Sequence, residues 1–108
     1  MVWEKSKLVF IDLYGLTKSF LDDEKFGITS QIRRAAVSVP TNIAEGHGRN
    51  SNVYFSRFLY ISLGSIRELE TLVEISCDLG YIGDAREVLA KLDELAKMIS
   101  SLINTLRG

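Results

Sequence analysis

The run Ser51-Asn52-Val53-Tyr54-Phe55-Ser56-Arg57-Phe58-Leu59-Tyr60-Ile61-Ser62-Leu63-Gly64-Ser65-Ile66 decides the fold. Ser51 suits a helix N-cap, because its hydroxyl can accept from an orphan N–H of the first turn. Behind it, Phe55, Phe58, Ser62, Ile66, Leu69, Val73 and Ser76 recur at spacings of three and four, the alternation of a helix-bundle seam. The pattern predicts a helix over residues 51–79, on the order of 40 Å long at about 1.5 Å per residue. Within residues 53–61 only Ser56 and Arg57 are polar. A helix that is apolar on every side must be buried on every side, and one four-helix bundle cannot enclose that much of one member. The segment therefore predicts self-association, with Val53, Tyr54, Phe55, Leu59 and Tyr60 as candidate contacts between copies.

Working outward, Gly46-His47-Gly48 precedes this helix and is expected to end another, since glycine takes the left-handed cap conformation at little cost. That second helix is predicted over residues 28–45, with Ile28, Ile32, Ala35, Ala36, Val39 and Ile43 as its stripe. Alanine at two stripe positions lets a neighbouring backbone come close. Pro40 falls inside the pattern; it removes a backbone donor and crowds the Ala36 carbonyl, which predicts a kink. Two short helices divided near Val39 are the alternative. A first helix is predicted over residues 3–21, where Val9, Leu13, Leu16 and Phe20 share a face that Phe10, Tyr14 and Leu21 widen. Leu8 and Ile11 lie off that face and leave apolar surface to cover. A polar turn, Asp22-Asp23-Glu24-Lys25, follows. Beyond the third helix, Gly80 is a cap and Tyr81-Ile82-Gly83 a short turn. Asp84 with Glu87 resembles a capping box. Ala85, Val88, Leu92, Leu95, Ile99, Leu102 and Leu106 then form a fourth stripe, with Leu89, Ala96 and Ile103 as a second row.

Short connections make successive helices antiparallel neighbours. The predicted fold is all-α: one domain, residues 1–108, an up-down-up-down four-helix bundle with helix two kinked at Pro40. With 46% hydrophobic and 25% charged residues the composition is that of a soluble globular protein. The longest apolar runs, residues 8–11 and 58–61, hold four residues each, too few for a membrane span or a signal-peptide core. A single cysteine, Cys77, excludes an internal disulfide framework and fits a reducing cytoplasm.

Charge is unevenly distributed. Residues 1–30 carry a net −1 and residues 68–108 a net −4, whereas residues 31–67 carry Arg33, Arg34, Arg49, Arg57 and Arg67 against Glu45 alone, a net +4. Arginine suits bidentate contacts to phosphate or carboxylate. Arg33, Arg34, Arg49 and Arg57 are the candidate nucleic-acid contacts. In an antiparallel hairpin Arg49 and Arg57 come to one end, with Arg33 and Arg34 about four turns away. One chain thus holds two basic spots, and a ring of copies would multiply them into a belt. Tyr54, Phe55 and Tyr60 could stack on single-stranded bases, although aromatics at helical spacing more often pack against protein.

No constellation for catalysis or metal binding is present in the sequence. His47 is the single histidine, whereas a di-iron bundle site needs two Glu-x-x-His pairs and a zinc site three or four ligands. It reads as an exposed turn residue. Cys77 lacks a partner base and reads as a small core residue. Gly46-x-Gly48 is too short for a phosphate loop. Glu68 and Glu70 sit two apart and cannot share a helix face; at least one is expected to meet an arginine of helix two. No enzyme activity, cofactor or metal is implied.

Residues 29–46, Thr-Ser-Gln-Ile-Arg-Arg-Ala-Ala-Val-Ser-Val-Pro-Thr-Asn-Ile-Ala-Glu-Gly, resemble the bacterial four-helix-bundle proteins associated with 23S rRNA intervening sequences. Gly48-Arg49, Phe55, Phe58-Leu59, Gly64-Ser65, Glu68-Leu69-Glu70 and the turn at Leu79-Gly80-Tyr81-Ile82 continue the match. The resemblance implies a four-helix bundle, a ring-shaped homopentamer, no catalytic activity and nucleic-acid binding by a basic surface. The same family includes the accessory protein of diversity-generating retroelements, which implies a reverse transcriptase as a partner. Two features depart from that pattern: Tyr54 stands where members often carry an acid, and the net charge of −1 is low.

Two functions are in competition. In one, a homo-oligomer binds RNA or DNA through its arginines. In the other, the oligomer is a structural or protein-interaction scaffold whose arginines are paired with Glu45, Glu68 or Glu70.

Overall fold

The structure of the chain, a computed structural model, describes residues 1–20 and 27–107. Four helices make it up: α1 (Val2–Thr17), α2 (Ile28–His47), α3 (Asn52–Asp78) and α4 (Arg86–Arg107). No strand occurs among the described residues. The expected turn at Asp22–Lys25, and Leu21 with it, lie outside them.

α1 stops at Thr17, four residues before the predicted end. The Thr17 hydroxyl donates to the Leu13 and Tyr14 carbonyls at 3.0 and 3.1 Å. Phe20 N–H then bonds Thr17 O at 3.1 Å. Phe20 is buried all the same, its ring 5.2 Å from that of Tyr81.

α2 is one helix that passes through Pro40, so the division near Val39 does not occur. It continues to His47 because Gly46 does a different job from the one expected. Gly46 lies inside the helix and is buried; a Cβ there would stand 2.6 Å from Phe58 Cβ and 3.1 Å from Phe55 Cδ1. The glycine serves close approach of α2 to α3. The left-handed residue of the turn is Asn50, with φ 56°, while Gly48 stays right-handed at φ −71°.

α3 begins as predicted, with the Ser51 side chain accepting from Tyr54 N–H at 3.5 Å. It ends in a Schellman motif: Gly80 at φ 82° lets Tyr81 N–H reach Ser76 O at 2.9 Å and Gly80 N–H reach Cys77 O at 3.0 Å. Only the first half of the expected capping box opens α4. The Asp84 carboxylate accepts from Arg86 N–H at 3.0 Å and also binds its guanidinium, which holds Asp84 below its ordinary carboxylate pKa. Glu87 instead lies against Lys91 Nζ at 3.4 Å.

Each helix packs on its chain neighbours and α1 also packs on α4, while α1 and α3, like α2 and α4, do not meet. The helices therefore occupy the corners of a square. Leu13, Ile32, Leu59, Ile66, Leu92 and Ile99 fill its centre without solvent contact. Ala35 and Ala36 are buried as the stripe predicted. Polar ties fix α2 on α3: Ser62 Oγ donates to Val39 O at 2.9 Å, and the Ser38 and Ser65 hydroxyls are 3.0 Å apart. Between α1 and α4, Lys5 meets Glu94 at 2.7 Å and Lys91 meets Asp12 at 2.9 Å.

Candidate nucleic-acid interface

The four candidate arginines have different surroundings. Arg33 is half-buried on the inner side of α1. Its Nε donates to Thr17 Oγ1 at 2.9 Å, and its guanidinium carbon lies 3.9 Å from the Tyr14 ring centroid. It ties α2 to the end of α1 and meets no carboxylate among the described residues. Arg34, the next residue, is exposed; its one polar partner among the described residues is Ser30 Oγ, at 3.5 Å. Arg49 is exposed in the turn, loosely paired with Glu45 at 3.4 Å and 5.3 Å from the Phe58 ring. Arg57 is exposed on α3, 5.6 Å from the Tyr54 ring, and meets no carboxylate among the described residues.

The fifth arginine of the basic block is held at home. Arg67 meets Glu70, one turn on in the same helix, at 2.8 Å, and that hydrogen bond raises the Arg67 pKa above its ordinary value. The expected pairing of Glu68 or Glu70 with an arginine of α2 is not found: Glu70 pairs within α3, and Glu68 meets no cation among the described residues. The reason is reach, since a partner three residues on along one helix is always near.

From Ile28 to Ala44, α2 contains no acidic residue. Its exposed face thus presents Arg34 and, past its end, Arg49, with Glu45 as the single local counter-charge. His47 ends α2, exposed, with its ring edge-on to Phe55 at 5.6 Å. Cys77 is half-buried against the core. A cleft of about 370 Å³ between α1 and α4 is lined by Leu8, Val9 and Leu95 and flanked by the Lys5–Glu94 and Asp12–Lys91 pairs. Its carboxylates are thus occupied by lysines. Among the described residues, no three His, Cys, Asp or Glu side chains come together in a way that could hold a metal, and no helix is long and apolar enough to cross a membrane.

The candidate contacts between copies also divide. Val53 is 62% exposed, and Tyr54 and Tyr60 are about half exposed. Phe55 is half-buried beneath the end of α2. Leu59 is 0% exposed, so the single chain already uses all of it and nothing is left for another copy. Counting apolar residues around a helix does not say which ones face inward, and Leu59, placed between Ser56 and Ser62, takes the innermost position. Ile61, 51% exposed, belongs to the outward set instead. Gly15, in the last turn of α1, and Gly64, in the middle of α3, have no atom within 4 Å of where a Cβ would stand.

The model of the 23S rRNA-intervening sequence protein family matches residues 1–101. No curated protein matches the chain. Among solved structures, a protein of unknown function from the S23 ribosomal protein family of Bacteroides thetaiotaomicron VPI-5482 is similar, with a TM-score of 0.87 at 26% sequence identity, over 95% of this chain and 98% of that one. With a match over nearly the whole length and the same arrangement of helices, the chain belongs to the 23S rRNA-intervening sequence protein family.

Proposed function

We propose that the protein is a non-enzymatic, cytoplasmic homo-oligomer that binds RNA or DNA through Arg34 on α2 and Arg49 in the turn that follows it. Its unit is an antiparallel up-down-up-down bundle. Support for that direction comes from Lys5–Glu94 with Asp12–Lys91, where the register on α4 falls as that on α1 rises. α2 bends at Pro40, whose missing N–H leaves the Ala36 carbonyl short of a donor. Five copies form the ring that the resemblance implies, and the ring brings several α2 faces together.

The observation that carries the nucleic-acid reading is the acid-free exposed face of α2, with Arg34 unpaired by any carboxylate among the described residues. Arg33 is held on Tyr14, and Arg57 stands among the exposed apolar residues of α3, which assigns it to the contact between copies. A scaffold in which arginines serve carboxylates has support in Arg49–Glu45 and Arg67–Glu70. Exposed pairs of that kind contribute little, about 0–1 kcal/mol, and leave Arg49 free to exchange partners.

Fluorescence anisotropy with single-stranded RNA and with duplex DNA across a salt series tests the reading. Binding that weakens steeply with salt is expected, and Arg34→Glu with Arg49→Glu should weaken it and flatten the slope. No binding at low salt, or binding indifferent to salt, would overturn it.

A further inference from the structure

We propose that Thr41, Asn42 and Glu45 form a patch of hydrogen-bond acceptors on α2 that reads the exocyclic amine of an unpaired cytosine or adenine, while Arg34 and Arg49 hold phosphates on either side of it. The inference rests on the nucleic-acid reading above and names the bases that the same site prefers.

The patch lies between the two arginines. Arg34 stands about two turns before Thr41, and Arg49 follows Glu45 by four residues. At about 100° per residue, Arg34, Thr41, Glu45 and Asn42 fall within an arc of about 100° of the helix. Arg34, Thr41 and Glu45 are exposed and Asn42 is half-buried.

What these side chains offer is set by the bonds they already make. The Thr41 hydroxyl gives its hydrogen to Val37 O at 2.8 Å, which leaves its oxygen as an acceptor. The Asn42 amide is oriented by the same logic. Ser38 O has no hydrogen to give, so Asn42 must meet it with its NH2 group, at 2.8 Å, and the same nitrogen lies 3.0 Å from Ser38 Oγ. The Ser38 hydroxyl is itself 3.0 Å from that of Ser65 on α3, which holds the arrangement in place. Asn42 Oδ1 is left without a partner among the described residues. It is also open to solvent, since Thr29 Oγ1 is the one buried side-chain polar atom there that lacks a hydrogen bond. Glu45 is an acceptor by its charge, and its one tie, to Arg49, is long at 3.4 Å.

A patch of acceptors turns phosphate away, because phosphate oxygens accept as well, and leaves it to the arginines. It suits an N–H donor. Cytosine and adenine carry exocyclic amines, whereas thymine and uracil present an oxygen acceptor, and glutamate is a natural partner for the cytosine amine. A count of charges passes over Thr41 and Asn42, since both are neutral.

The bundle decides for a single strand. α2 packs on α1 at one side and on α3 at the other, with axes about 8–10 Å apart in such packing. The face around it is thus wider than the major groove of a duplex, about 12 Å. α2 cannot enter that groove, but an unpaired base can come out to α2.

Fluorescence anisotropy at low salt, with oligo(C) and oligo(U) RNA of equal length, tests this. The two RNAs differ at one ring position, an amine against an oxygen. Oligo(C) is expected to bind roughly tenfold more tightly. Replacing both hydrogens of each cytosine amine by methyl groups should abolish that preference with the protein untouched. Thr41→Val with Asn42→Leu should bring the two RNAs to within about twofold of each other, and circular dichroism checks that this variant folds. Equal binding of oligo(C) and oligo(U) by the wild type would overturn the acceptor patch and leave the arginine contacts standing. So would a preference that survives methylation or the double substitution, or duplex DNA bound more tightly than either RNA. No binding of any of the three at low salt would overturn the nucleic-acid reading itself.

Discussion

Gly46→Ala adds one methyl group at the closest approach of α2 to α3. The new carbon would stand 2.6 Å from Phe58 Cβ, 3.1 Å from Phe55 Cδ1 and 3.2 Å from Phe58 Cγ. Carbon atoms rest at about 3.5–4.0 Å, so the first contact is short by about 1 Å. Phe58 Cβ is fixed to the α3 backbone and cannot turn aside, so the helices must part there. Overpacking of this kind costs about 1–3 kcal/mol. Gly46 is the last residue but one of α2, so alanine there returns only about 0.5 kcal/mol. The expected net loss is about 0.5–2.5 kcal/mol, a fall in Tm of roughly 2–20 °C for a domain of this size. Urea unfolding followed by circular dichroism reads it, at several protein concentrations because association shifts apparent stability. Gly64→Ala is the control: with no atom of its own chain near, it should gain about 0.5–1 kcal/mol. If Gly46→Ala matched or exceeded the wild type in stability, the close approach of α2 and α3 as described would be wrong.

Arg33→Ala should cost about 1–2 kcal/mol in the same assay, from the lost Tyr14 ring contact and the Thr17 hydrogen bond; Arg34→Ala should stay within about 0.5 kcal/mol. Equal effects would contradict the separation of a structural arginine from a free one. The hydrogen bond from Lys5 lowers the Glu94 pKa. A carboxylate whose pKa is lower folded than unfolded adds stability above the unfolded value and loses it as pH falls through the folded one. NMR titration should therefore find the Glu94 midpoint below that of an unfolded reference, and Lys5→Ala should bring it back up; an unmoved midpoint would mean that the bridge does not form in solution.

Periodicity was enough for the four helices, because tertiary contacts here reinforce the local pattern: Ile32, Ala36, Val39 and Ile43 are buried as their spacing requires. Helix ends were less readable. Gly46 was expected to be a cap because glycine permits a left-handed backbone, but the same residue also permits close approach, and only the position of Phe58 shows which property is in use. α1 ends at Thr17 although the apolar spacing runs on to Phe20, which is buried beyond the helix. At the candidate site, a count of charges could not tell Arg33 from its neighbour Arg34. They are 100° apart around the helix, which puts one against Tyr14 and the other in solvent.

The surplus of apolar surface on residues 53–61 and the surplus of positive charge on residues 31–67 meet at this point. In the proposed oligomer each helix recurs once per copy. α2 brings Arg34 and Arg49 with Glu45 as its acid, whereas α4 presents Glu87, Asp93 and Glu94, each beside a lysine. On the proposed reading, assembly would set the arginines of successive copies in one belt. Salt dependence tests whether that belt acts as a unit. Two phosphate contacts per copy give a slope of about −1.4 for a single strand, at about −0.7 per contact, and a strand shared among copies gives a multiple of that. Ile61→Asp keeps Arg34 and Arg49 but removes a contact between copies, so it should bind more weakly and with the single-copy slope. If the dissociated variant kept the slope of the intact assembly, the arginines of neighbouring copies would not be sharing a strand, and the belt would have no role in binding.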